Sequence, residues 1–146
     1  MPPFIPFVSD DEIATIANGL VNRTLPKAAW THAAHFAAAL WMLSHRSLDA
    51  VIDELPGLIR AYNEATGVAN TNSSGYHETI TRASIRVARN FLLNNPDRPL
   101  FATCNALMAS PLGKSDWLLA HWSRECLFSA EARHMWIEPD LKALPL

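Results

Sequence analysis

The feature that most constrains the fold is an alanine-rich run from residue 26 to residue 45. It contains seven alanines together with Trp30, Leu40 and Trp41, and it holds neither glycine nor proline after Pro26. Alanine has the highest helix propensity, and its small side chain loses no rotamer freedom in a helix. The run therefore predicts a strongly buried central helix, with a restart at Thr31, where a side-chain hydroxyl can cap it.

Apolar residues at spacings of three and four predict further helices on both sides of this run. Short helices are expected after Ser115 or Asp116 and after Ser129. The longer ones are expected from about Asp10 to Asn22, from Ser47 to Gly67 with a bend at Pro56, from Tyr76 to Leu93, and from Pro99 to Ser110.

The helix expected to begin at Tyr76 has a clear inward stripe. Its members are Ile80, Ala83, Val87 and Phe91. Ile85 lies off this stripe, so we expect it at the edge or facing outward. Arg82, Arg86 and Arg89 are read as a solvated face of the same helix.

No segment alternates polar and apolar residues as a half-buried strand does, and no segment repeats. The chain has 146 residues, which is near the usual size of one domain. We therefore predict an all-α fold: a single compact domain over residues 1–146, orthogonal or bundle-like, with about five to seven helices.

Charge and the N-terminal segment argue against several functions. A formal net charge of −2 provides no basic field to attract nucleic acid. The segment from Met1 to Phe7 has no basic residue and is broken by prolines, unlike a signal peptide, and no apolar run reaches the roughly 20 residues that span a bilayer. Cys104 and Cys126 form no CxxC pair, which suits a reducing compartment. We predict a cytoplasmic protein with no nucleic-acid or membrane partner.

Two compact clusters carry the side chains best suited to chemistry. His32 and His35 are three residues apart in the alanine-rich helix, so their imidazoles lie on one face. The second cluster, Tyr76, His77 and Glu78, follows a polar loop. Because adjacent residues point about 100° apart on an ideal helix, His77 and Glu78 can both reach one centre only at the helix edge.

We predict that His32, His35 and His77, with Glu78, bind a transition metal ion. This set of nitrogen and oxygen donors suits zinc, iron, nickel or copper rather than calcium or magnesium. Three protein ligands and an open position would allow water activation or dioxygen chemistry on a small molecule. Glu78 is then a ligand or a general base and Tyr76 an outer ligand or proton donor, so both are candidate catalytic residues.

Other readings account for the same features without a metal. Glu78 can lie in the first turn of a helix, where the helix dipole favours a carboxylate. The two clusters can form a polar patch in a tryptophan-lined pocket that binds a small molecule. A third reading is an interaction module whose apolar face binds a protein partner or a second copy of the chain, and the candidates for that face include Trp117, Trp122 and Trp136.

Two signatures also suggest a relationship. The segments Trp30-Thr31-His32-Ala33-Ala34-His35-Phe36 and Tyr76-His77-Glu78-Thr79-Ile80-Thr81 resemble those of a group of small bacterial helical proteins that share W-T-H-x-x-H and Y-H-E-T-x-T. The end of the chain, with Ser123-Arg124, Leu127-Phe128-Ser129 and the residues from Trp136 to Leu141, is similar to theirs as well. The resemblance covers most of the chain. It implies one helical domain and a shared site at His32, His35, His77 and Glu78, with no established reaction.

Overall fold

A computed structural model describes residues 4–146; Met1, Pro2 and Pro3, which open the proline-broken N-terminal segment, lie outside the described residues. Within residues 4–146 the chain forms seven α-helices and no strand, which confirms the predicted all-α fold. None of these helices is long and apolar enough to cross a bilayer. The helices are α1 (Asp10–Asn22), α2 (His32–His45), α3 (Leu48–Ala65), α4 (Glu78–Asn94), α5 (Leu100–Ala109), α6 (Arg124–Leu127) and α7 (Ala130–His134), and three short 3-10 helices accompany them at Lys27–Ala29, Pro111–Gly113 and Trp117–Ala120.

Hydroxyl side chains set the starts of most of these helices. Ser9, Thr31 and Ser47 each accept a hydrogen bond from the backbone N–H three residues later, at 3.2–3.4 Å. Each bond satisfies a donor that the first turn of a helix leaves free. The restart at Thr31 is confirmed, because a 3-10 turn precedes it. Ser123 caps α6 in the same way, although the sequence did not predict that four-residue helix.

The alanine-rich α2 is the central helix, as predicted. It contacts α1, α3, α4 and α5. Nine of its residues are buried, and five of these are alanines. Alanine side chains let those neighbours pack close to the α2 backbone, while Phe36 and Leu40, at most 1% exposed, fill the space between them. Each such large apolar side chain contributes about 1.5–3 kcal/mol when fully buried.

Residues 66–77 connect α3 to α4 and form the polar loop. Gly67 and Gly75 have φ angles of +84° and +79°, in the left-handed region that favours glycine. A Cβ atom at Gly75 would lie 2.5 Å from the carbonyl oxygen of Ala69, whereas Gly67 faces open space. Asn70 Oδ1 closes the loop by accepting hydrogen bonds from Tyr76 N at 2.9 Å and from Asn63 Nδ2 at 3.1 Å.

Helix α4 differs from its prediction in two ways. It begins at Glu78 rather than Tyr76, because His77 has extended backbone angles and caps the helix with its side chain. Ile85, expected at the edge or facing outward, is 1% exposed, so that prediction is wrong. The physical reason is that α4 packs against α2, α3, α5 and α7 and therefore buries more of its circumference than one stripe.

The tryptophans considered for an interaction face are mostly interior. Trp122 is 0% exposed and Trp117 is 6% exposed. Trp136 is partly buried, with the Arg86 guanidinium 4.4 Å from its ring centroid. In the described part of the chain these three side chains therefore form no common exposed face.

The tail after α7 is irregular, and several of its carbonyl groups accept hydrogen bonds from buried side chains. Thr79 Oγ1 donates to the carbonyl of Met135 and Trp122 Nε1 to that of Ile137, both at 2.9 Å. The Nδ1–H of the buried His121 lies 3.0 Å from the carbonyl oxygens of residues 142 and 143. Three buried side chains therefore hold the tail against the helices.

Candidate functional site

His77 is a buried helix cap. Its Nε2–H donates to the carbonyl oxygen of Leu127 at 2.7 Å, and its Nδ1 accepts from the backbone N–H of Ile80 at 3.2 Å. The ring is 6% exposed, and burial lowers the pKa of His77 below its ordinary value. Both ring nitrogens are therefore occupied by main-chain partners, and the imidazole is neutral.

Glu78 lies in the first turn of α4 and its carboxylate is bound on both oxygens. Oε1 accepts a hydrogen bond from the Tyr76 hydroxyl at 2.6 Å, and Oε2 lies 2.9 Å from a guanidinium nitrogen of Arg82. Burial, and then the hydrogen bond to Glu78, raise the pKa of Tyr76 well above its ordinary value. The phenol therefore stays protonated at neutral pH and donates to the carboxylate.

Two further arginines reach the same place from other helices. The guanidinium of Arg60, on α3, lies 4.3 Å from the centroid of the Tyr76 ring, which is a cation–π contact. Arg133, on α7, donates to the carbonyl oxygens of Gly75 and Tyr76 at 3.1 and 3.3 Å. Each of three guanidinium groups thus contacts either Tyr76 or Glu78. We call this group of Arg60, Tyr76, Glu78, Arg82 and Arg133 the arginine cluster.

The arginine cluster retains unused hydrogen-bond donors. The Nε atoms of Arg82 and Arg133 are buried, and neither has a hydrogen-bond partner among the described residues. Buried polar atoms in proteins nearly always have a partner, because leaving one unpaired costs about 1–3 kcal/mol. Because both atoms are closed to solvent, an oxygen atom from outside the protein could reach these donors only if neighbouring side chains moved.

His32 and His35 lie together on the first turn of α2, as their spacing predicted. His32 Nε2 is 2.8 Å from the carbonyl oxygen of Leu112, and His35 Nδ1 is 2.7 Å from that of Thr31. A carbonyl oxygen only accepts, so each of these nitrogens carries the proton. The His35 ring stacks on Trp30, with centroids 3.9 Å apart, and the His32 ring meets Phe36 edge-on at 5.1 Å.

The two predicted clusters are not joined. Across residues 4–146 no three His, Cys, Asp or Glu side chains are placed to share a metal ion. The structure therefore brings His32 to His35, and Tyr76 to Glu78, but it does not gather His32, His35, His77 and Glu78 around one centre. The other histidines belong to neither cluster: His121 is buried, and His45 and His134 are exposed.

Most of the arginine cluster was not predicted from the sequence. Arg82 is four residues after Glu78, and this acid–base spacing along a helix could have indicated the ion pair. Arg60 and Arg133 lie on other helices, and no local pattern connects them with Tyr76. Arg82 was read as part of a solvated face, and that reading is wrong, because its side chain is only 31% exposed and pairs with Glu78.

Comparisons with known proteins add no relative to this description. No protein-family model, curated protein or solved structure matches the chain. The resemblance to the bacterial group with the two signatures stays a prediction.

Proposed function

We propose that the protein binds a small anionic molecule, bearing a carboxylate or phosphate group, at the arginine cluster. The observation that carries this proposal is the gathering of three guanidinium groups, those of Arg60, Arg82 and Arg133, around a pair of residues, Tyr76 and Glu78, that supplies one carboxylate. The proposal develops the metal-free interpretation given above, in which the site binds a small molecule. It differs in assigning the binding to guanidinium groups rather than to a tryptophan-lined pocket.

The charge balance of the cluster supports an anion. The arginine cluster contains three guanidinium groups and one carboxylate, that of Glu78, so it carries excess positive charge in a chain whose net charge is −2. The N-terminus of the 17-residue α4 adds a further partial positive charge. Guanidinium is also the side chain best matched to carboxylate and phosphate, because its planar donors can bind two oxygens at once.

Tyr76 and Glu78 have defined roles in this proposal. The phenol donates to Glu78, and the ring supports the Arg60 guanidinium. Glu78 in turn holds the Arg82 guanidinium at 2.9 Å. The pair therefore positions two arginines for the ligand. A catalytic role for Tyr76 or Glu78 stays a prediction, and it requires a substrate to be found first.

Titration followed by NMR tests the proposal. Inorganic phosphate and succinate are added separately to 15N-labelled protein at constant ionic strength, and the arginine Nε–H and backbone signals are recorded. We expect the Nε–H signals of Arg82 and Arg133 to shift in a saturable manner with at least one anion. Small shifts spread over the surface without saturation, with both anions, would overturn the proposal.

Two variants and a matched control locate the binding. Arg60→Gln and Arg82→Gln each remove one charged donor, and a hydrogen bond to a charged group contributes about 1.5–3 kcal/mol, so affinity should fall about 10-fold or more. Arg89→Gln, at an exposed residue two turns further along the same helix, should leave affinity unchanged. Equal losses in all three variants would indicate general charge attraction rather than a site.

A further inference from the structure

We infer that His32 and His35 form a two-histidine site for Cu²⁺, Ni²⁺ or Zn²⁺ on the first turn of α2, separate from the arginine cluster. This pair retains two of the four ligands in the sequence-based prediction and excludes His77 and Glu78, whose polar atoms are engaged elsewhere. The remaining coordination positions would be filled by water or by an external ligand. The inference does not rest on anion binding at Glu78.

The hydrogen bonds of the two histidines leave one nitrogen of each ring free to bind a metal. Because His32 Nε2–H and His35 Nδ1–H donate to main-chain carbonyls, His32 Nδ1 and His35 Nε2 carry the lone pairs. Histidines that bind metals usually donate the other ring N–H to a carbonyl or carboxylate, which fixes the tautomer and increases the basicity of the ligating nitrogen. Both histidines have this arrangement before any metal is present.

Position and access also favour the pair. Residues three apart on a helix lie on one face, and the two imidazoles are within electrostatic range of each other. His35 is exposed and His32 is partly exposed, so an ion can approach from solvent. Contacts with Trp30 and Phe36 restrict the ring orientations, which reduces the entropy that binding must overcome.

The donor set selects the class of metal. Two neutral imidazoles without a carboxylate suit copper, nickel and zinc, whereas magnesium and calcium require oxygen ligands. Affinity among these ions should follow the usual order, with Cu²⁺ bound most tightly. The partial positive charge at the helix N-terminus weakens the binding of every cation but does not change the order of affinity among the metals.

His45 provides a matched control within the same helix. Its Nδ1 is 2.8 Å from the carbonyl of Trp41, four residues earlier, and its ring stacks on Trp41 with centroids 4.5 Å apart. His45 resembles His35 in these two contacts but has no second histidine three residues away, and it lies in the last turn of α2, where the helix dipole favours a cation. A metal that needs only one oriented imidazole would therefore bind at least as tightly at His45 as at His35.

The experiment titrates protein without a histidine tag with CuCl₂, NiCl₂, ZnCl₂ and, as a negative control, MgCl₂. Calorimetry gives affinity, and electron paramagnetic resonance of the Cu²⁺ complex counts the coordinated nitrogens. We expect one site with two imidazole nitrogens, and an affinity for Cu²⁺ lowered about 10-fold or more in His32→Ala and in His35→Ala but unchanged in His45→Ala. Circular dichroism establishes that the variants fold.

Any of three outcomes would overturn the inference. The first is wild-type affinity in both folded variants, His32→Ala and His35→Ala. The second is a Cu²⁺ spectrum with a single imidazole nitrogen, and the third is an equal loss of affinity in His45→Ala. If either alanine variant fails to fold, His32→Gln and His35→Gln, which keep a polar side chain, replace it in the same titration.

Discussion

The His77 cap makes a prediction in which stability and pH are linked. In the folded chain the ring is buried and neutral, because protonating Nδ1 would set a second donor against the Ile80 N–H. Burial accordingly lowers the pKa of His77 below the value of 6.5 expected in the unfolded chain. As the pH falls through 6.5, residue 77 therefore binds a proton in the unfolded chain but not in the folded chain.

This difference in proton binding makes the folded chain less stable as the pH falls. The contribution of His77 to the free energy of unfolding is fully present above pH 6.5 and is lost as the pH falls towards the folded pKa, at up to about 1.4 kcal/mol per pH unit. His77→Ala removes this pH dependence. It also removes the helix cap and the hydrogen bond to Leu127, and the loss of both should lower the free energy of unfolding by about 2–4 kcal/mol at pH 7.5. His77→Asn keeps a capping side chain and should cost less.

Urea unfolding followed by tryptophan fluorescence measures both quantities for wild type, His77→Ala and His77→Asn between pH 7.5 and 5.5. We expect the difference between wild type and His77→Asn to shrink as the pH falls, since only the wild type loses stability through residue 77. Carboxylates and the other histidines titrate in both proteins and cancel in this difference. Parallel curves for the two proteins over this pH range would refute the reasoning.

Two further predictions concern the polar loop and the cysteines. Gly75→Ala should destabilise the chain by about 2 kcal/mol or more, and Gly67→Ala by only about 1 kcal/mol. Both glycines have a positive φ, but only a Cβ atom at residue 75 would meet other atoms, those of Ala69 and Asn70. Equal losses of stability in thermal unfolding would contradict this prediction. Of the two free thiols, only Cys126 should react with Ellman's reagent in the folded protein, since Cys104 is 0% exposed and burial raises its pKa to about 12; two fast equivalents would contradict this.

The helices were largely predictable because their signals are local. Capping hydroxyls such as Thr31 and Ser47 are followed at once by apolar residues at helical spacing, and α2 owes its central place to its own alanines. Ile85 was misplaced because α4 packs against four other helices, two of which, α5 and α7, follow it in the chain. Periodicity within one helix does not reveal how many neighbours will surround it.

The candidate sites were predictable only in part, for a similar reason. The spacing of His32 and His35 places them on one face, and the structure keeps them there. The same kind of spacing cannot distinguish a ligand from a cap at His77, since that depends on Leu127, fifty positions later. Arg60 and Arg133 reach Tyr76 from α3 and α7, so the excess of guanidinium groups appears only after the chain folds.

The attachment of the tail has a consequence for how this chain can change over evolutionary time. The acceptors at residues 135, 137, 142 and 143 are carbonyl oxygens, which every amino acid supplies, proline included. At Met135 and Lys142, whose side chains are exposed, replacements other than proline can therefore alter the surface while the path of the tail stays the same. Asp140 is different, because its carboxylate accepts hydrogen bonds from the N–H and the hydroxyl of Ser123. A further constraint falls on the buried donors Thr79, His121 and Trp122, where a replacement would remove a hydrogen bond that holds the tail against the helices.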